Sequence, residues 1–112
     1  MIARLWRGRA ARDQADAYHR HVTLTVFPEI ARIPGHRGGY VLRREVDGEA
    51  GGAVEFLVVT LWDSMDAVRE FAGAAPGIAV VEPAARALLS GYDEVVQHYD
   101  VVHAPAMTGG PQ

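Results

Sequence analysis

The segment at residues 54–62, Val-Glu-Phe-Leu-Val-Val-Thr-Leu-Trp, most constrains the fold of this 112-residue chain. It predicts a strand, and side chains alternate between the two faces of a strand. One face carries Val54, Phe56, Val58, Thr60 and Trp62, and the other carries Glu55, Leu57, Val59 and Leu61. Both faces are therefore apolar, unlike a strand with one face in water. Because the chain offers enough helix for only one side, we expect a second copy of the chain to cover the other.

The composition limits the class of protein and its chemistry. About half of the residues are hydrophobic (49%), which at this length fits one domain with a modest core. A net charge of −3 argues against a nucleic-acid partner. All 11 basic residues are Arg, and Cys is absent, which excludes Schiff-base and thiolate catalysis. No apolar run reaches membrane-spanning length and no signal peptide is present, so we expect a cytoplasmic protein with no membrane partner.

Periodicity and turn residues divide the chain into strands and helices. A helix is expected from residue 11, and Pro28 either kinks it or starts a short second helix. Ser64 and Gly73 are typical of the two ends of another helix. Strands are predicted at residues 2–9, 39–46, 54–62 and 92–102, and a short helix at 83–89.

The order of these elements is β-α-β-β-α-β with an extra short helix. This order predicts an α+β, ferredoxin-like fold, in which helices cover one side of a four-stranded antiparallel sheet. Two such sheets placed face to face would form a dimeric α+β barrel, so we expect a homodimer. The domain is expected to span residues 1–102, and residues 103–112, with two Pro and two Gly, to form a flexible tail.

Short segments along nearly the whole domain carry a family resemblance. They are Ile2-Ala3-Arg4-Leu5-Trp6-Arg7-Gly8, Ala15-Asp16-Ala17-Tyr18, Pro34-Gly35-His36-Arg37-Gly38, Leu61-Trp62-Asp63-Ser64, Phe71-Ala72-Gly73 and His98-Tyr99-Asp100-Val101. By their order and spacing, the chain resembles the antibiotic biosynthesis monooxygenase family of the dimeric α+β barrel superfamily.

The resemblance implies a monooxygenase that needs no metal, haem or flavin. Its substrate would be a small hydrophobic aromatic molecule, phenolic or anthrone-type, from secondary metabolism. The same superfamily holds proteins with other roles, so the alternative is a non-oxygenating dimeric barrel: a binding or stress-response protein, or a cyclase or isomerase. A pocket of a few hundred Å³ would favour an enzyme, whereas an interior filled by Tyr18, Phe56 and Trp62 would favour the alternative.

Two candidate residues rest on the resemblance. A Trp at the position of Trp62 lines the substrate cleft in family members that oxidise aromatic polyketides, although a plug at the end of the core is equally expected. Those enzymes have an Asn four residues before this Trp and a Tyr six residues after it, where this chain has Val58 and Val68. Arg86 matches an Arg of those enzymes only if the alignment shifts around Pro83; otherwise it is a solvent-facing helix residue.

The other candidates are His98, His21, Tyr18 and Trp6. His98 lies in the last strand and would serve as a general base if it faces the helices, since an unperturbed His has a pKa near ~6.5. Otherwise it is a half-buried strand residue. Tyr18 and His21 share one face of the first helix, so both are expected at the cleft, with His21 as the alternative base. Trp6, on the first strand, would help to bind the substrate.

Metal and haem sites are not expected. The histidines lack the His-x-x-x-His and His-Glu-x-x-His spacings of helical metal sites. Haem-degrading relatives use an Asn on the first strand, a second Trp and an axial His, whereas this chain has no Asn, and Phe71 and Val81 stand where that Trp and His would lie. His36 is expected in an exposed loop, and Glu55 is expected to pair with Arg43 or Arg44.

Overall fold

The computed structural model describes residues 1–46 and 52–105. The predicted turn residues Asp47, Gly48 and Gly51 and most of the predicted tail lie outside these ranges. The strands are β1 (Ile2–Ala11), β2 (His36–Val46), β3 (Ala53–Trp62), β4 (Gly91–Tyr92) and β5 (Gln97–Asp100). They form one antiparallel sheet in the order β2-β3-β1-β4, with β5 also paired to β1. The prediction of an α+β, ferredoxin-like fold is confirmed.

The predicted fourth strand is interrupted, and the prediction of one continuous strand was wrong. Residues 93–96 separate β4 from β5: Asp93 N–H still donates to the Arg7 carbonyl of β1 (2.9 Å), but other backbone groups of this segment bond away from the β1 backbone. Val96 N–H donates to the Gly77 carbonyl (2.9 Å), and the Glu94 carbonyl accepts from Ala79 N–H (2.9 Å). The Asp93 carbonyl accepts from the Trp6 indole (2.7 Å). This interruption brings residues 76–82 against the sheet, where some of them form part of the candidate site.

Four helices and one π-helical turn connect the strands: α1 (Arg12–His21), the π-turn (Val22–Val26), α2 (Phe27–Ile30), α3 (Met65–Ala72) and α4 (Pro83–Arg86). The π-turn coincides with the β-branched run that weakens helix propensity, and Pro28 lies in the first turn of α2. Ser64 caps α3 by accepting from Ala67 N–H (3.2 Å). None of the described helices is long and apolar enough to span a membrane.

The helices pack on one face of the sheet. This face contains two groups of buried residues: Tyr18 of α1 meets Phe56 edge-on at 4.8 Å between ring centroids, and Trp62 packs with Ala67 and Val68 of α3. The core therefore lies between the helices and the even-numbered residues of β3.

The other face of the sheet carries no helix of the described chain. Its apolar residues include Leu57, Val59 and Leu61 of β3, all half-buried, and the exposed Tyr40 and Leu42 of β2. Glu55 on this face pairs with Arg44 (2.9 Å), one of the two predicted partners. The prediction that the helices cover only one side of β3 is confirmed.

Candidate functional site

A cavity of about 130 Å³ lies between the helix-bearing face of the sheet and the helices. Its walls are largely apolar and come from β1, β3, the helices α1, α2 and α3, the π-turn, residues 80–85 and Val96. Apolar lining residues include Trp6, Val22, Val26, Phe27, Val58 and Phe71. Its size is below the few hundred Å³ expected for an enzyme pocket and near the roughly 150 Å³ of an apolar cavity known to hold benzene. The cavity therefore suits one aromatic ring.

Arg4 supplies the positive charge of the cavity. It lies on the helix-facing side of β1 beside Trp6 and is only 5% exposed. Its Nη1 donates to the Pro76 carbonyl and to His98 Nε2 (2.9 Å), and its Nη2 donates to the Ile78 carbonyl (3.2 Å). The guanidinium also stands over the Phe71 ring, 5.6 Å from its centroid. Burial lowers the pKa of Arg4 to about 10, so the side chain is still charged near neutral pH.

His98 faces the helix side of the sheet, opposite Arg4 in the β1–β5 register. Because Arg4 can only donate, His98 Nε2 must accept, which requires the neutral imidazole with its proton on Nδ1. Burial, and then the charge of Arg4, lower the pKa of His98 and favour this neutral form. His98 does not line the cavity, because Arg4 lies between the imidazole and the cavity. Its Nε2 is therefore committed to holding Arg4.

A histidine–carboxylate pair stands at the wall of the cavity. His21 Nε2 lies 2.9 Å from Glu82 Oε1, and Glu82 lines the cavity. Tyr18 also lines it, is 3% exposed, and has its ring centroid 6.5 Å from that of His21. Burial, and then the charge of Glu82, raise the pKa of Tyr18, so its hydroxyl stays protonated. That hydroxyl has no hydrogen-bond partner among residues 1–46 and 52–105 and is free to bond a ligand.

The structure places some of the predicted site residues at the cavity and others away from it. Trp6 and Tyr18 line the cavity, and His21 lies just behind Glu82. Trp62 is fully buried in the core, stacked on Phe71 at 5.7 Å, and its indole donates to Thr60 Oγ1 (2.9 Å). Of the two roles expected for Trp62, its position is that of the core plug. Arg86 is exposed on α4 and does not line the cavity.

Two residues of the cavity, Arg4 and Glu82, were not predicted as site residues from the sequence. Arg4 carried a usable signal, since the alternation of β1 places it on the same face as Trp6, which was predicted to help bind the substrate. Glu82 carried none, because it precedes Pro83 in an irregular segment without periodicity.

The prediction that His36 is loop-exposed was wrong. His36 begins β2, and its ring packs edge-on against Trp62 at 4.8 Å. Burial lowers its pKa, and its Nδ1 is buried without a hydrogen-bond partner in the described part of the chain.

The sequence matches no protein-family model and no curated protein. Solved structures, however, share the fold. A Deinococcus radiodurans protein assigned as an antibiotic biosynthesis monooxygenase has a TM-score of 0.57 and 16% identity, covering 97% of this chain and 100% of that chain. A Bacillus cereus protein with the same assignment has a TM-score of 0.61 and 16% identity, covering 95% and 97%. MhuD of Mycobacterium tuberculosis, a haem degrader with two haems bound in its active site, has a TM-score of 0.57 and 19% identity, covering 95% and 100%.

At these identities the likeness shows the fold. The chain has the fold of the antibiotic biosynthesis monooxygenases, and the predicted resemblance is confirmed at that level. Because the haem degrader MhuD has the same fold, the fold alone does not separate oxygenation of an aromatic substrate from degradation of haem.

Proposed function

We propose that the protein is a cofactor-independent, monooxygenase-like enzyme acting on a small hydrophobic phenolic substrate. The observation that supports this proposal most is a ring-sized, largely apolar cavity whose polar lining residues include Arg4, Tyr18 and Glu82. One aromatic ring fills the cavity, so any further rings of an anthrone-type substrate must extend through the mouth. Exposed residues, Glu29 and Val80, lie at that mouth.

The His21–Glu82 pair is the base in this proposal. Glu82 lines the cavity and can take the phenolic proton, while His21 orients its carboxylate through the 2.9 Å contact. Arg4 stabilises the negative charge that develops on the ring oxygen, and Tyr18 donates a hydrogen bond from a hydroxyl that stays protonated. Both act in an apolar space, where electrostatic stabilisation is stronger than in water. His98 positions Arg4 and is not the base.

Dioxygen is the oxidant. The deprotonated substrate passes one electron to dioxygen, and the resulting substrate radical and superoxide combine at the ring carbon para to the deprotonated oxygen, which in an anthrone is the former methylene carbon, to form a carbon–oxygen bond. The peroxide takes a proton, loses the hydrogen that remains on that carbon and expels water as the O–O bond breaks. That carbon becomes a carbonyl, and one dioxygen is reduced to the carbonyl oxygen and one water. The protein's part is to bind the ring, remove the proton and exclude water.

Haem does not fit the cavity. Tyr18 is the sole lining side chain, among the described residues, of a type that ligates haem iron, and its raised pKa opposes the phenolate that a metal needs. Val81, at the position where haem-degrading relatives have the axial His, lines the same cavity. We therefore propose that the haem-degrading activity of MhuD does not extend to this chain.

A non-oxygenating isomerase or cyclase is the second candidate. The cavity volume of about 130 Å³, below the few hundred Å³ of an enzyme pocket, and the burial of Tyr18, Phe56 and Trp62 in the interior favour a non-oxygenating protein. The His21–Glu82 pair suits proton transfer within one bound molecule, and that chemistry needs no dioxygen. The two candidates differ in one measurable quantity, the consumption of oxygen.

We also propose that the working molecule is a homodimer. The helix-free face of the sheet exposes Tyr40 (56%), Leu42 (49%) and Tyr99 (58%), and such patches mark interaction surfaces. A second copy of the chain, placed face to face, would cover these residues and complete the barrel implied by the resemblance.

Oxygen uptake tests the proposed activity. Chelator-treated protein is mixed with single-ring phenols and an anthrone, and dissolved oxygen and quinone are followed together. We expect one oxygen consumed per quinone, and a kcat about a hundredfold lower in Glu82→Gln. Glu94→Gln, an exposed carboxylate away from the cavity lining, is the control and should act like wild type. Failure of every substrate to raise oxygen uptake above the uncatalysed rate would contradict the proposal.

A further inference from the structure

We infer that the cavity binds a single-ring aromatic acid in its ionised form and that Arg4 holds the carboxylate. This inference rests on the proposed function, since it names the class of substrate for the same cavity. With the carboxylate at Arg4, the phenolic oxygen of such a substrate is bound by Tyr18 and no longer contacts Arg4 directly.

The charge balance around Arg4 points to an anionic ligand. Surface arginines such as Arg37 and Arg44 pair with carboxylates at 2.6 and 2.9 Å. Arg4 is far more buried, yet it forms no ion pair with any residue of the described ranges. A buried charge is costly without a partner of opposite charge, and two backbone carbonyls and an aromatic face compensate it only in part. Glu29 and Glu82 also line the cavity, but among the described residues neither forms an ion pair with Arg4. A bound anion that contacts the guanidinium directly is therefore the partner that would complete the balance.

The hydrogen bonds of Arg4 leave room for such a ligand. A guanidinium has five N–H groups, and three of those of Arg4 donate to Pro76, Ile78 and His98. The other two donate to nothing within the described part of the chain. Carboxylates accept two such bonds side by side, which makes Arg the residue suited to binding them.

The shape and polarity of the cavity select the rest of the ligand. Trp6 and Phe71 provide flat apolar surfaces beside Arg4, and the volume of about 130 Å³ suits one ring. The charges of Glu29 and Glu82 disfavour a second anionic group on the ligand, whereas Tyr18 offers a hydrogen-bond donor to a phenolic oxygen. A hydroxybenzoate-type acid meets all of these conditions.

The competing explanation is purely structural. By donating to Pro76 and Ile78, Arg4 fastens the segment after α3 to β1, and such a role would need no ligand. The two explanations differ in whether the charge of a ligand matters.

Titration with benzoate and its neutral analogue benzamide distinguishes them. Binding is followed by isothermal calorimetry and by the amide resonances of the labelled protein. We expect benzoate to bind at least about tenfold more tightly than benzamide, since charge-assisted hydrogen bonds are roughly twice as strong as neutral ones. Equal affinities, or no saturable binding of benzoate, would overturn the inference. This comparison uses the unmodified protein and does not depend on the folding of any variant.

Variants assign the effect to Arg4. Arg4→Met, with similar volume and no charge, should abolish the preference for benzoate over benzamide. Arg69→Met, the same change at an exposed residue of α3, should leave it unchanged. A folded Arg4→Met that still prefers benzoate would overturn the assignment.

Failure of this inference is distinct from failure of the proposed function. Benzoate binding without oxygen uptake by any substrate refutes oxygenation, and turnover of phenols without benzoate binding refutes the anion site.

Discussion

At the scale of single residues, the contact between Arg4 and His98 organises the charged end of the cavity. The imidazole accepts from the guanidinium, so the pair works only while His98 is neutral. Burial lowers the pKa of His98, and the positive charge of Arg4, 2.9 Å away, lowers it further. The fold therefore disfavours the protonated histidine.

We expect this shift to make stability depend on pH. Because the pKa of His98 is lowered in the folded state, the unfolded chain binds the proton more readily. The stabilisation is complete above the ordinary pKa of about 6.5 and is lost as the pH falls through the lowered value. His36 contributes in the same direction, since burial lowers its pKa too. Urea unfolding between about pH 8 and pH 5 should thus show falling stability on the acid side.

Histidine variants test the assignment. His98→Gln keeps an acceptor for Arg4 but cannot become charged, so its stability should fall less on acidification than that of wild type. His103→Gln, an exposed residue beyond β5, is the matched control and should keep the wild-type pH profile. An identical acid loss in His98→Gln and wild type would show that the contact with Arg4 is not the cause.

The sequence predicted the cavity residues where a regular element placed them. Tyr18 follows from the apolar stripe of α1, and Trp6 from the alternation of β1. Trp62 sits at the predicted end of β3, but whether it enters a cleft or plugs the core depends on α3, whose Ala67 and Val68 close over it. Glu82 could not be predicted, because the conformation of the irregular segment before α4 depends on contacts with distant parts of the chain and not on a local sequence pattern.

At the scale of elements, the turn before β2 requires a glycine, Gly35. Gly35 precedes β2 with φ +88°, and its carbonyl accepts from Asp63 N–H (2.8 Å) just after β3. A Cβ placed on Gly35 would lie 2.6 Å from the Cβ of Ala67 in α3. Only glycine therefore allows β2 to start close to α3.

Replacing this glycine should destabilise the protein. We expect Gly35→Ala to cost about 2 kcal/mol or more, from the positive φ and from the clash with Ala67. Gly77→Ala is the matched control, since a Cβ there meets nothing within 4 Å and its φ is not positive. It should change the free energy of unfolding by less than about 1 kcal/mol. Equal losses in the two variants, measured by urea unfolding, would contradict this account of the turn.

The limits of prediction at this scale have a physical cause. Strands β1 and β3 were recognisable because burial imposes a pattern on every residue of a central strand. The interruption between β4 and β5 was not recognisable, because residues 93–96 include Val95 and Val96, whose β-branched side chains are typical of a strand. Their backbone bonds to residues 77 and 79 decide the outcome, and such long-range partners leave no local signal.

At the scale of the whole molecule, the sheet has two faces with different partners. The helices of the chain itself cover the face that carries Phe56 and Trp62, and no described helix covers the face that carries Leu57 and Leu61. The sequence of β3 alone predicted this arrangement, because it shows no polar face. A partner for the helix-free face would bury apolar area that otherwise meets water.

The mass of the protein in solution, measured by light scattering at micromolar concentration, tests the barrel most directly. We predict twice the 12.1 kDa of one chain. Leu42→Glu, on the helix-free face, should shift the mass towards one chain. Leu24→Glu, the same change at a more exposed leucine of the π-turn, should leave it doubled. A stable, folded wild-type protein of 12.1 kDa would contradict the proposal that a second copy covers the sheet.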